Sequence, residues 1–543
     1  MTIIDSAIFP RLSLIAIVTA GCSTFVEEGQ RLTPDDEHGY HIVAADVAGG
    51  METAIYKNDY KCQNGHGSTV TPHTTTAFAN CQLNSVIAAI DTFANGPDSA
   101  RCGRRERKIV LFIHGGLNVT STKRADADFA DALEHCIYVV YMNWESGFGP
   151  SYRDHIMNIR FGKRINDDDD LAFFERSMFP VTVTVDVVGG IVRFPVTYWR
   201  NLRLSKNMYL NQNDRAIIND HSYRGREHWC DIDASNNVII AGNTDRGFRI
   251  SEWLGVGNPL KLATYPFVDG IGRPSWNNMQ RRTYAVFRPD SDFLDFENRN
   301  CLIARNGGAC GEISESERDQ IAGGSGVFAE FARQLSISQR DWPTEVELYL
   351  SAHSMGAIIA NELVANFDIR FAGIAYLAGA SSIKHFQQTV IPYLLLHPDA
   401  RFYNVTLHPD ADNREVNYLG AAPGGSLLAW IDDLYEDTDA DIDRTLGRWD
   451  NMRGAKWTIT EDIQERMVFK IYSDEGPQKH GEFTLTYIAD DGEITYAYWY
   501  PPSWSEREMF DWDSSDPVPP TRGFRTPTCP EQEEAAAIVA SQE

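Results

Sequence analysis

Four short segments carry residue types able to do acyl-transfer chemistry. The pentapeptide "AHSMG", 352–356, sets Ser354 between an apolar run and a helical pattern. A serine on such a strand-to-helix turn has a strained backbone, so its neighbours two positions away must be small, as Ala352 and Gly356 are. The amide of Met355 would open the helix and could face an oxyanion. The second segment, "FIHGGLN" at 112–118, follows another apolar run, and its glycines leave backbone amides bare. Gly116 is the expected second oxyanion donor, with Gly115 the alternative, and His114 reads as structural. The third is "PQKHGEF", whose His480 is the only histidine after His408. It follows the last strand pattern, where a base that takes and returns the Ser354 proton is expected. The fourth is "NVTLHPDAD", 404–412, whose Asp410 and Asp412 could orient that imidazole, with Asp432 and Asp433 as third choices.

These segments need a scaffold, and hydrophobic patterning outlines one. "RKIVLFIHGG", "IYVVYMNW", "EVELYLS", "AGIAYLAG", "RFYNVTLH" and "RMVFKIYS" are near-continuous apolar runs, the pattern of parallel strands buried on both faces. "RADADFADALEHC", "GVFAEFARQLS", "HFQQTVIPYLL" and "GGSLLAWIDDLY" alternate with them at helical spacing, which predicts an α/β fold. The expected core is 105–150 plus 325–510, preceded by an extension over 23–104 that packs on it. A cap-like insertion fills 151–324, and a loose tail follows over 511–543. Within the insertion, "MFPVTVTVDVVGGIVRFPVTYWRNL" at 178–202 is the most apolar stretch. Asp186, Arg193 and two prolines argue against a simple transmembrane helix. It reads either as a helix or hairpin buried in the cap, or as a cap surface that lines an acyl pocket or touches lipid.

The three motifs "FIHGGLN", "AHSMG" and "PQKHGEF" together resemble the α/β-hydrolase superfamily, and the alanine-led elbow is similar to that of some bacterial lipases. The resemblance covers 105–150 and 325–500. It implies a mostly parallel sheet flanked by helices, and ester or acyl hydrolysis without a cofactor. Ser354 would be the nucleophile, His480 the base, and Met355 and Gly116 the oxyanion amides, with the acid narrowed only to Asp410 or Asp412. The superfamily also holds peptidases, thioesterases and inactive members, so amidase, acyltransferase and purely binding roles stay open.

The 543 residues are 43% hydrophobic and 11% aromatic, which supports a filled core. The formal charge of -27 argues against nucleic acid as a partner. "NDDDD" at 166–170 reads as a solvated loop, and the absence of CxxC and HExxH gives no support to a metal site. At the amino terminus, Arg11, an apolar run from Leu12 to Val18 and "TAGC" have the layout of an export signal and resemble a lipoprotein lipobox. Cys22 would then carry lipid and hold an exported protein on the membrane. Eight further cysteines fit disulfides in an oxidising compartment, with Cys62–Cys81 and Cys301–Cys310 as local options.

Overall fold

In the computed structural model of the chain, the described residues run from 32 to 499. The stretches 117–131, 165–175, 211–237, 242–258, 289–325 and 416–424, and several shorter ones, are outside them. The anchor candidate Cys22, Asp410, the Cys301–Cys310 option and the tail over 511–543 therefore lie outside the described residues, as does most of the helix expected over 124–136.

The main sheet is built from β1 (Ile42–Ala45), β2 (Arg107–Ile113), β3 (Ile137–Trp144), β4 (Val238–Ala241), β5 (Val346–His353), β6 (Gly373–Leu377), β7 (Arg401–Leu407) and β8 (Met467–Tyr472). Their order is β1-β3-β2-β5-β6-β7-β8-β4, and every pairing is parallel. All eight residues of β3 are buried, as are the last six of β5. This is why these strands read as continuous apolar runs rather than alternating ones.

Helices in chain order are α1 (Thr75–Asn95), α2 (Phe148–Asn158), α3 (Phe179–Leu210), α4 (Pro259–Ala285), α5 (Val327–Ser338), α6 (Gly356–Asn366) and α7 (Ile383–Leu396). Helices α1 and α5 pack on each other and on β1, whereas α6 packs on β2, β5, α7 and α4. The chain is thus an α/β protein with a parallel sheet flanked by helices.

Two boundaries differ from the sequence reading. The extension does not merely pack on the core, because its β1 pairs with β3 and forms one edge of the sheet. The insertion supplies the other edge, since β4 pairs with β8. The apolar stretch at 178–202 is neither a hairpin nor buried: it lies in one helix, Phe179–Leu210, whose Phe179–Trp199 part exposes much of its surface. "GGSLLAWIDDLY" is helical over Leu427–Trp430 and then widens into a looser turn over Ile431–Tyr435.

Helix α4 is tied to α2 through buried charge. Asp154 accepts from Asn158, Asn278, Arg281 and Arg282. Burial alone would raise its pKa, but Arg282, the two asparagines and Arg281 hold the carboxyl below its ordinary value. Cys62 with Cys81 and Cys102 with Cys136 lie at disulfide distance.

The register gathers the loops that matter. Ile113 faces Ala352, His353 faces Leu377, Leu377 faces Val405, and Leu407 faces Tyr472. The strand ends are therefore level, and His114–Gly116, Ser354, Asp412, Glu415 and His480 all follow carboxyl ends of strands, the edge where open α/β sheets form their sites.

Candidate active site

Ser354 sits directly between β5 and α6 with φ at 52°, in the left-handed region that non-glycine residues seldom occupy. A backbone of that kind costs about 1–3 kcal/mol and persists only where its surroundings enforce it. Here the Ser354 amide donates to the Leu377 carbonyl at 2.9 Å, and the Ser354 carbonyl accepts from the Ala380 amide at 2.8 Å. The turn brings the chain against the β2 loop, and a Cβ on Gly356 would lie 2.5 Å from the Ile113 carbonyl oxygen. That contact explains the small residue two positions after the serine.

His480 begins a short helical turn after β8 and is buried. Its Nε2 lies 2.8 Å from Ser354 Oγ. The backbone on either side of this ring is held as well: the His480 amide donates to Glu415 Oε2 at 3.0 Å, and its carbonyl accepts from His353 Nε2 at 3.0 Å. The His353 and His480 rings lie 4.9 Å apart. Burial lowers the His480 pKa to about 4, so the imidazole is neutral near pH 7 and able to accept a proton. With Ser354 donating to Nε2, the ring proton resides on Nδ1, and that buried atom has no acceptor among the described residues.

A comparison with family models, curated proteins and solved structures finds no match. The site is therefore read from its own geometry.

The glycine loop is fixed by His114. The Trp144 amide donates to His114 Nε2 at 3.1 Å, which leaves the proton on Nδ1 to donate to the Gly115 carbonyl at 2.8 Å. Trp144 Nε1 also donates to the His114 carbonyl. Burial lowers the His114 pKa to about 4, against a smaller opposing effect of the Gly115 bond. His114 thus welds the end of β2 to the end of β3 and stands apart from the reacting pair. A Cβ on Gly115 would lie 2.6 Å from His353 Nδ1 and 2.7 Å from Ser354 Cβ, so the loop reaches the elbow only as glycine. Gly116 packs against Met279 of α4 and Met355, with a notional Cβ 2.5 Å and 2.9 Å from them. Met355 opens α6, so its amide belongs to the helix-end donors that have no carbonyl within the helix.

The expected acid is where geometry and sequence reading part. Asp412 is buried, but its carboxylate accepts from Arg448 Nε at 2.7 Å and from Ser426 Oγ. Asp412 makes no hydrogen bond to His480 among the described residues; its two oxygens accept from a guanidinium and a hydroxyl, and His480 Nδ1 has no partner there. Asp432 is similarly consumed by Arg448, the Thr445 amide and Asn451. Burial raises the pKa of Asp433, with Arg448 and Arg444 opposing.

The carboxylate that does touch His480 is Glu415, on the same β7 loop, which the sequence reading missed. Burial raises its pKa, with the His480 amide bond acting the other way. No local pattern marks Glu415, although its loop was the expected source of the acid. His353 was likewise missed as a support for His480, despite standing inside the quoted pentapeptide.

Proposed function

We propose that the chain is a serine hydrolase of the α/β-hydrolase superfamily that cleaves carboxylic esters, lipid-like ones included. The observation that carries this reading is the 2.8 Å contact of His480 Nε2 with Ser354 Oγ, made by a serine held at φ 52°. A serine strained into an elbow backbone and paired to a neutral imidazole is an activated nucleophile with its base in reach. The order of the parts also fits: a glycine loop after β2, the serine after β5, acids on the β7 loop and the histidine after β8.

In this mechanism Ser354 Oγ attacks the ester carbonyl carbon while its proton passes to His480 Nε2. The carbonyl oxygen gains the electron pair of the broken π bond and is met by the amides of Met355 and Gly116. Collapse expels the alkoxide, which leaves as the alcohol with the proton from His480. Water, deprotonated by the same imidazole, then cleaves the acyl-enzyme and restores Ser354. No cofactor enters these steps. The imidazolium formed in each half-reaction needs a carboxylate at Nδ1. The β7 loop is the source we assign, through Glu415 first and Asp410 second. An amidase or acyltransferase would use the same steps with another leaving group or acceptor.

The second reading is a binding protein that retains the fold without turnover. It is favoured by one observation, the absence of a described carboxylate at His480 Nδ1. A fluorophosphonate probe separates the two. Labelling of the wild type that is lost in Ser354→Ala and His480→Ala supports the hydrolase, whereas an unlabelled wild type supports the binding reading. We also propose export with lipid attachment at Cys22, which Cys22→Ser tests by releasing the protein from the membrane fraction.

A further inference from the structure

Helix α3 has its polarity inside out. Val181, Val185, Val188, Val192, Val196 and Trp199 recur at spacings of three and four, and all are exposed, Val192 and Trp199 to 70%. They form one stripe of about 27 Å along the helix. The stripe carries no charged side chain, and Thr184 beside it turns its hydroxyl back to the Pro180 carbonyl. The polar groups face the protein instead. Asp186 accepts from Tyr152 and His155 of α2, and Arg193 donates to Asp269 of α4. Gly190 and Gly270 let the two helices approach closely, since a Cβ on Gly190 would lie 2.1 Å from the Pro266 carbonyl oxygen. A helix at the surface of a water-soluble body shows the opposite arrangement.

The most apolar window of Phe179–Trp199 has a mean hydropathy of 1.5, yet only 6% of it is buried, and the segment lies far from the amino terminus. A core helix and a leader are both excluded by those facts. Crossing a bilayer is disfavoured by the docked face, because it would carry Asp186, Arg193 and Asp269 into hydrocarbon along with the helices they bind. Charge indicates the remaining occupant. In a chain of net charge -27, the sequence that follows Trp199 holds Arg200, Arg203 and Lys206 and no acid through Leu210. An aromatic residue followed by basic ones suits the headgroup layer of an anionic bilayer.

We propose that α3 lies flat on an anionic membrane, its valine stripe seated among the acyl chains and its polar face retained by α2 and α4. This seat is independent of Ser354 chemistry and of any lipid at Cys22.

The test uses the full chain as Cys22→Ser, so that no acyl group contributes, with vesicles of phosphatidylglycerol and phosphatidylethanolamine and, separately, of phosphatidylcholine alone. The parent is expected to sediment with the anionic vesicles and at least tenfold less with the neutral ones. Val188→Glu/Val192→Glu is expected to lose the anionic binding at least tenfold while its circular-dichroism melting stays unchanged, because both positions face outward. Equal binding by the double variant, or a parent that stays in the supernatant, would overturn the proposal. Retention of the parent in the pellet after alkaline carbonate would overturn the flat seat in favour of crossing. A parent that dimerises in sedimentation velocity, ignores vesicles and becomes monomeric in the double variant would assign the stripe to a second copy.

Discussion

His480 Nε2 lies 2.8 Å from Ser354 Oγ across 126 residues of sequence. Both atoms belong to buried residues, and the serine backbone is held at φ 52°. Replacing either residue by alanine removes half of a unit rather than an independent contribution, so the two losses are not additive. Ester hydrolysis is expected to fall at least about 10⁴-fold in Ser354→Ala and in His480→Ala, with the double variant no lower than the worse single one. Initial rates on p-nitrophenyl esters check this, and additive losses would show that the contact is not catalytic.

The acid is open to a graded test. Glu415 already holds the His480 amide, so its loss is expected to let the ring turn and to lower kcat more than it raises KM. Glu415→Gln keeps size and a hydrogen-bonding group but no charge, and is expected to cost about 10²–10⁴ in kcat. Asp410→Asn is expected to be near neutral if Glu415 supplies the carboxylate. The reverse outcome, a mild Glu415→Gln and a severe Asp410→Asn, would transfer the role to Asp410. Asp412→Asn should leave the pH profile of kcat unmoved, because its carboxylate serves Arg448.

The elements that were legible share one physical cause. Strands such as Ile137–Trp144 are buried throughout, so burial writes itself into an unbroken apolar run. Ser354 and His480 were legible because an elbow needs small neighbours and because few histidines remain after β7. The edge strands were not. Ile42–Ala45 and Val238–Ala241 have four residues each and are flanked by polar or glycine residues in the sequence, where length and pattern say little. Asp412 misled because a loop carboxylate has no sequence mark of its partner, and Arg448 competes for it from 36 residues away. Glu415 stayed hidden for the same reason. The pairing of Cys102 with Cys136 spans 34 residues and follows from the fold rather than from spacing.

The buried imidazoles set a pH dependence of stability. His114 and His480 have pKa values lowered by burial to about 4, whereas an unfolded histidine titrates near about 6.5. Above pH ~6.5 both states hold neutral rings and the two histidines contribute no slope. As pH falls from there, the unfolded chain binds protons that the folded one refuses. Stability is therefore expected to fall by up to about 1.4 kcal/mol per pH unit for each ring, levelling off below pH ~4. Denaturant titrations between pH 7 and 4.5 read this directly, and His114→Asn should remove part of the slope. In the same window kcat/KM is expected to hold steady down to about pH 6, since His480 is still neutral there. A limb centred at or above pH ~6.5 would mean that the His480 imidazolium is not disfavoured by burial.

Arg448 binds two of the carboxylates weighed as the acid. It donates through Nε to Asp412 at 2.7 Å and through Nη1 to Asp432 at 3.2 Å; burial lowers its pKa, but Asp412, Asp432 and Asp433 raise it well above the ordinary value. Arg448→Met would leave both carboxylates buried without their cation, an arrangement that typically costs about 3–5 kcal/mol. Asp412→Asn keeps a hydrogen-bonding group toward Arg448 and leaves the Asp432 pair standing, so a smaller loss is expected, on the order of 1–3 kcal/mol. Urea unfolding of the three proteins, followed by serine-probe labelling of the fraction that remains folded, distinguishes the roles. Folded Asp412→Asn should label at close to the wild-type rate if Asp412 serves Arg448 and Ser426 rather than the His480 ring. A well-folded Asp412→Asn that fails to label would return Asp412 to the catalytic group and remove Glu415 from it.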